Sequence, residues 1–309
     1  MKPKSFLIFF LSLCAISLLT KAQTPFAGLA GSFNQMLDSI RKEKADSIRF
    51  RLNQEFFDTL ELALLQSHKS FAFTDSLHLA SIVSDDMKIR VITWNIQQNN
   101  GENIYTGFVI NQLTGKISPL STHKSDPQLD QLKIYRNGGW PSAIYYRLIQ
   151  RKFKSSVSYT LLGWDGLNRR VSRKMADILS FDENGQPVFG GPMFKTKEGI
   201  QNRIVMEYSA NASFTLQYNR QKVMLTGVRK SMRNIDDEMI IMDRLAPMNP
   251  ELEGQRWAYV PVGNIYDGYI FFNGIWTFTE DISPRNPSKS KPGSQKSKKP
   301  ELELFQKKD

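Results

Sequence analysis

The stretch D-G-Y-I-F-F-N-G-I-W-T-F, residues 267–278, decides the fold. Two runs rich in aromatic and β-branched residues flank Asn273-Gly274, the dipeptide suited to a type I′ turn, which needs φ > 0 at both central positions. The stretch therefore predicts a β-hairpin. Working outward from it, the same punctuation recurs. Residues 88–97 and 104–112 flank Asn99-Asn100-Gly101, residues 143–153 and 156–164 make another pair, and 178–181 and 187–189 flank Asp182-Glu183-Asn184-Gly185. Residues 203–209, 213–218 and 238–243 add strands. Residues 171–179 fit either a strand or a helix, because Val171, Met175, Ile178 and Leu179 also recur at helical spacing. Roughly a dozen strands with short connections and no alternating helices predict a mostly β (α+β) chain. Its antiparallel sheets would form a sandwich, an open barrel-like arrangement or an irregular multi-sheet fold.

The chain upstream reads differently. Phe33, Met36, Leu37, Ile40, Ile48, Leu52 and Phe56 fall on one face of a helix, with charged residues opposite and Ser32 as a start cap. Residues 55–66 form a second apolar helical piece, giving a helical hairpin or one broken helix. Further upstream, Lys2 and Lys4 precede a 14-residue apolar run, 6–19, and Thr20-Lys21-Ala22 places small residues where a signal peptidase needs them. The run is shorter than the roughly 20 residues that cross a bilayer. The expected organisation is a signal peptide over 1–22 cleaved after Ala22, a helical segment over 23–76, a β-rich region over 77–282 and a disordered basic tail over 283–309. The only cysteine, Cys14, lies in the signal, so the mature chain would have no disulfide and would rely on packing. Export to the periplasm or beyond is the expected location, with no transmembrane segment in the mature chain.

The formal net charge of +11 is unevenly placed. Three of the excess positive charges belong to the signal and five to the Pro/Ser/Lys-rich tail, which leaves +3 for residues 23–282. That is an ordinary globular surface, so a nucleic-acid partner is not expected. The tail suits solvation or a loose, salt-sensitive attachment to anionic polymers or lipid head groups.

Phosphate-cradling loops are missing from the sequence, as is a G-x-S-x-G elbow. The mature chain offers only His68, His78 and His123, too few and too scattered for a zinc site, and no cofactor or metal is expected. Asp236-Asp237-Glu238 lacks the alternating spacing of a calcium loop. Carboxylates near strand ends (Asp165, Asp177, Asp243, Asp267 and Glu280) are the candidates for acid–base chemistry, and turn capping is the plainer role for them. The densest constellation is Y-T-L-L-G-W-D-G-L-N-R-R, residues 159–170. Trp164, Asp165, Asn168, Arg169 and Arg170 combine an aromatic face with donors suited to a sugar or an anion. The same letters also describe a hairpin end with a core Trp and solvated arginines. Trp140, in the Gly-rich N-G-G-W-P of 137–141, is the other candidate for a ligand surface.

Several segments resemble a group of uncharacterised exported proteins of Bacteroidota: Y-T-L-L-G-W-D-G-L-N (159–168), F-D-E-N-G-Q-P-V-F-G-G-P-M-F (181–194), M-E-Y-S-A-N-A-S (206–213), D-R-L-A-P (243–247) and Y-D-G-Y (266–269). The signal ending in Ala22-Gln23 is similar to signals of that phylum. The likeness covers roughly residues 84–282. It implies a Gram-negative envelope setting and brings no activity, cofactor or catalytic residue. Three functions remain open: a non-enzymatic β-domain that binds an envelope glycan, an anionic polymer or another envelope protein; an exported glycan-directed hydrolase working through carboxylates; and a structural or assembly component using the N-terminal helices.

Overall fold

The computed structural model describes residues 27–67, 70–224 and 234–282. The expected signal peptide with its cleavage site, His68 and the basic tail lie outside them. Helix α1 (Ala27–Lys42) buries Ala30, Phe33, Leu37 and Ile40, the stripe its spacing predicts. It starts before Ser32, whose hydroxyl is directed at the Gly28 carbonyl within the helix and does not cap it. A break at residues 43–45 separates it from α2 (Asp46–Gln66), which buries Phe56, Leu60 and Leu64. The Glu43 carboxylate accepts the Lys44 and Ala45 N–H groups, and Arg49 donates to the Glu43 carbonyl, so the broken turn is tied from both sides.

The rest is mostly β, with antiparallel sheets and no closed barrel. One sheet has the order β1-β2-β3-β4: Ala80–Val83, Ile89–Gln97, Asn103–Asn111 and Lys116–Lys124. A second runs β11-β7-β6-β5, from Arg203–Ser209 through Val171–Phe181 and Ser156–Asp165 to Ile144–Phe153, with β8 (Pro187–Phe189) paired to β7. The third runs β10-β9-β15-β14-β13-β12, from Ile200–Gln201 (β10) at one edge to Leu216–Met224 (β12) at the other, and is built on the long strands Asn234–Pro247 (β13) and Tyr259–Phe272 (β14). Short β9 (Phe194–Lys195) lies parallel to β15 (Ile275–Ile282), an exception to the antiparallel rule. Asn273 and Gly274 join β14 to β15 with φ of 51° and 86°, the type I′ geometry that the dipeptide predicts.

These elements stack in layers. The helices pack on one face of the first sheet through Phe33, Phe56, Leu60, Trp94 and Phe108. The indole N–H of Trp94 reaches the side-chain carbonyl of Asn53 at 2.8 Å, so these two buried polar groups satisfy each other. The other face of the first sheet packs on the second through Val91, Tyr105, Leu161, Met175 and Leu179. The far face of the second packs on the third through Leu162, Ile178, Ile240, Tyr269 and Trp276. Strand β7 is thus covered on both faces and is buried along nearly its whole length. A strand in that position loses polar/apolar alternation, which resolves the ambiguity of residues 171–179 in favour of a strand.

The segment 125–143 lays a lid of irregular chain against the inner face of the second sheet. Tyr135 bridges to Phe189, and the Asn202 and Arg203 N–H groups donate to the Gln131 carbonyl. Gly190 sits beneath it with φ 97°, where a side chain would strike the Arg203 guanidinium and the Lys133 carbonyl. Only glycine suits both the left-handed backbone and that close approach.

Candidate functional site

Hairpin geometry gathers five of the six proposed ligand residues at one end of the second sheet. Strands β6 and β7 pair Trp164 with Lys174 and Asp165 with Arg173, and residues 166–170 close the turn. Asn168 accepts the N–H groups of Arg170 and Val171 at 2.9 and 3.0 Å, an Asx cap that fixes the turn. Its carbonyl is thereby occupied. Arg169 and Arg170 are exposed, and Arg169 donates to the Asn99 carbonyl of the neighbouring β2–β3 hairpin at 2.6 Å. Trp164 is half-buried, its ring folded over Gly166 and its N–H directed at the Tyr208 hydroxyl.

Trp140 is elsewhere. It is 2 % exposed, donates its N–H to the Ser121 carbonyl at 2.7 Å and packs among Tyr105, Tyr145 and Phe189. Its Gly-rich loop lies at the surface, with Asn137 exposed and Gly138 and Gly139 half-buried, but it turns Trp140 and Pro141 inward. The indole belongs to the core. In its place the fold brings up Trp257, on a short 3-10 turn between β13 and β14, with the Arg170 guanidinium 4.7 Å from its ring centroid. Sequence reading passed over Trp257 because its partner lies on a different hairpin; the adjacent Gln255-Arg256 loop was the only local sign.

Asp165 is a buried anchor. It accepts the Tyr105 hydroxyl at 2.8 Å and the Ser125 hydroxyl at 2.6 Å, and it faces Arg173 at 3.4 Å. Arg173, also fully buried, lies 3.3 Å from Glu207, which a bidentate pair joins to Arg256 near the surface. A chain of alternating charge therefore runs from beneath the turn to the Trp257 loop. The Arg173 nitrogens lie within ion-pair range without good hydrogen-bond geometry, so charge neutralisation, more than directed bonding, holds this residue. Burial raises the Asp165 pKa, with Arg173 opposing it.

The other candidate carboxylates are engaged too. Asp243 accepts the Thr215 N–H, Asp267 holds Arg244 with both oxygens, and Glu280 pairs with Lys197. Asp236 and Asp237 pair with Arg220 and Arg151. His78 and His123 are exposed. Among the described residues no group of three or more His, Cys, Asp or Glu side chains is gathered as metal ligands would be.

Asp177, fully buried, faces Arg203 at 3.3 Å, and Arg203 in turn donates to the Asp130 and Lys133 carbonyls. Burial pushes the Asp177 carboxyl up to about 6, against the opposing pull of Arg203. An unfolded aspartate titrates near 3.9, so the native state binds this proton more tightly. The resulting stabilisation is full below about pH 4 and is lost as pH rises through 6, a change of at most about 3 kcal/mol. Urea midpoints of wild type measured from pH 4 to 7.5 should carry this falling component. The difference from Asp177→Asn, which cannot titrate, isolates it; a difference curve that is flat or of opposite slope overturns the assignment.

No family model, curated protein or solved structure matches the chain.

Proposed function

We propose that this chain is an exported, non-enzymatic binding protein of the bacterial cell envelope that takes acidic saccharides on the surface formed by Arg169, Arg170 and Trp257. The observation that carries the reading is the exposed Arg170 guanidinium held over the Trp257 ring beside a second exposed arginine. An indole supplies a stacking face for a sugar ring, and an arginine–carboxylate hydrogen bond supplies about 1.5–3 kcal/mol. Together they give weak, salt-sensitive binding. The Asx-capped turn and the buried charge chain below hold the donors in place before the ligand arrives, which lowers the entropic cost of binding. The engaged carboxylates favour binding over hydrolysis. The signal-like N-terminus and the likeness to exported Bacteroidota proteins support the envelope setting.

Calorimetric titration with oligogalacturonate and with a neutral oligosaccharide of equal length tests this. The acidic ligand should bind and the neutral one should bind at least fivefold more weakly. Arg170→Ala and Trp257→Ala should each weaken the acidic ligand at least fivefold. Equal binding of the two sugars, no binding of the acidic one, or variants indistinguishable from wild type would overturn the reading.

A further inference from the structure

A second feature lies at the opposite edge of the second sheet and is independent of the saccharide reading. Strand β1 is an edge strand of the first sheet and β5 is an edge strand of the second. Between them opens a cleft of about 310 Å³, within the roughly 300–1,000 Å³ range of small-molecule sites. Its apolar walls are Ile82, Val83 and Leu148.

Its charged wall is unusual. Arg90 lines the cleft yet is 3 % exposed. Its Nη1 donates to Asp75 at 2.7 Å, Thr74 at 2.8 Å and Ser81 at 2.9 Å, and its Nε donates to Gln112 at 3.3 Å. Four anchors thus fix the guanidinium plane through two of its three nitrogens. Among the described residues Nη2 has no hydrogen-bond partner, and it is not among the fully buried orphaned atoms. A guanidinium so fixed, with one N–H pair left over at a cleft, is pre-organised for an oxyanion. Asp75 offsets one positive charge. Arg147, exposed on the β5 side of the cleft, carries another; its guanidinium rests 5.7 Å from the Tyr218 ring centroid, an exposed contact that leaves its charge unneutralised, since it makes no ion pair among the described residues.

We propose that this cleft binds a carboxylate carried on an apolar body, with Arg90 and Arg147 holding the anion and Ile82, Val83 and Leu148 covering the apolar part. A net charge of +1 across Asp75, Arg90 and Arg147 favours a single negative charge over a dianion. Two sources share this chemistry: a free aliphatic acid, and the C-terminus of a peptide ending in an apolar residue. The peptide has the additional recourse of the backbone on the free side of β1, which no strand pairs among the described residues.

Titrations of the full chain with octanoate and octanol, and with N-acetyl-Ala-Val-Leu as acid and as amide, followed by NMR or calorimetry, separate the possibilities. At least one acid should bind, at least tenfold more tightly than its neutral counterpart, and the tighter of the two acids identifies the source. Arg147→Gln lies on an exposed rim and should fold normally while weakening the acid at least fivefold. Arg90→Lys keeps the charge beside Asp75, removes Nη2 and should abolish the preference for the acid. Neither acid binding at millimolar concentration, neutral and acidic probes binding alike, or Arg147→Gln binding as wild type would overturn the proposal. None of these outcomes bears on Arg170 or Trp257, so the two sites fail or stand separately.

Discussion

Arg173→Met lowers the stability of the fold by about 3–5 kcal/mol, the cost of stranding a buried charge by removing its partner. The side chain is fully enclosed between Asp165 and Glu207, and Asp165 is itself fully buried. Methionine fills much of the volume but leaves the Asp165 carboxylate with only the Tyr105 and Ser125 hydroxyls to hold it. The loss should be larger at pH 8 than at pH 5. In the variant the folded-state pKa of Asp165 rises further, and at the lower pH the carboxyl takes a proton more readily. Asp165→Asn removes the opposing charge while keeping an acceptor for both hydroxyls. The double variant should therefore be less destabilised than the sum of the singles by at least about 1 kcal/mol, the range of coupled neighbours. Urea unfolding reads all four corners of the cycle. An Arg173→Met loss below about 1 kcal/mol would show that the pair contributes charge without consequence.

The second large effect separates scaffold from ligand surface. Trp140→Ala should cost about 3–5 kcal/mol, as expected for emptying a tryptophan-sized volume in a core. Three aromatic rings lose a packing neighbour and the Ser121 carbonyl loses its donor. Trp140→Phe should recover part of this, keeping ring contacts while the carbonyl stays unpaired. Trp257→Ala, at a half-buried position, should cost less than about 1 kcal/mol and act on saccharide affinity instead. A Trp140→Ala protein that unfolds at the wild-type urea midpoint contradicts the core assignment.

Particular residues explain what could be read from the chain and what could not. The stripe Phe33, Leu37, Ile40 was legible because a helix covered on one side keeps its period. Asn273-Gly274 was legible because a type I′ turn restricts which residues can form it. Strand β4 was not: Pro119 interrupts its pattern, and only its place at a sheet edge makes that proline tolerable. The pairing of Asp165 with Arg173 was in principle readable, because both flank one hairpin turn and hairpin register places them opposite each other. Asp177 and Arg203 carried no such sign, since their strands β7 and β11 meet only through the sheet. The proposed ligand surface divides in the same way. Asn168, Arg169 and Arg170 share a turn and were found together, whereas Trp257 reaches them from a separate hairpin and needed three dimensions.

The middle position of the second sheet also sets an order of opening. Its amides on β6 and β7 are hydrogen-bonded on both sides within the sheet and covered by a layer above and a layer below. The helices lie against one sheet only. Excursions that lift off the helices, or fray the third sheet, leave β6 and β7 paired, so protons on those strands exchange with solvent only when the whole molecule unfolds. The turn carrying Arg169 and Arg170 is therefore mounted on the slowest-exchanging part of the chain, and the cleft at β1 is bordered on one side by the first sheet's outermost strand. Deuterium uptake should thus rank the two ends differently: late protection at Leu161–Leu162 and Met175–Ala176, early loss along β1.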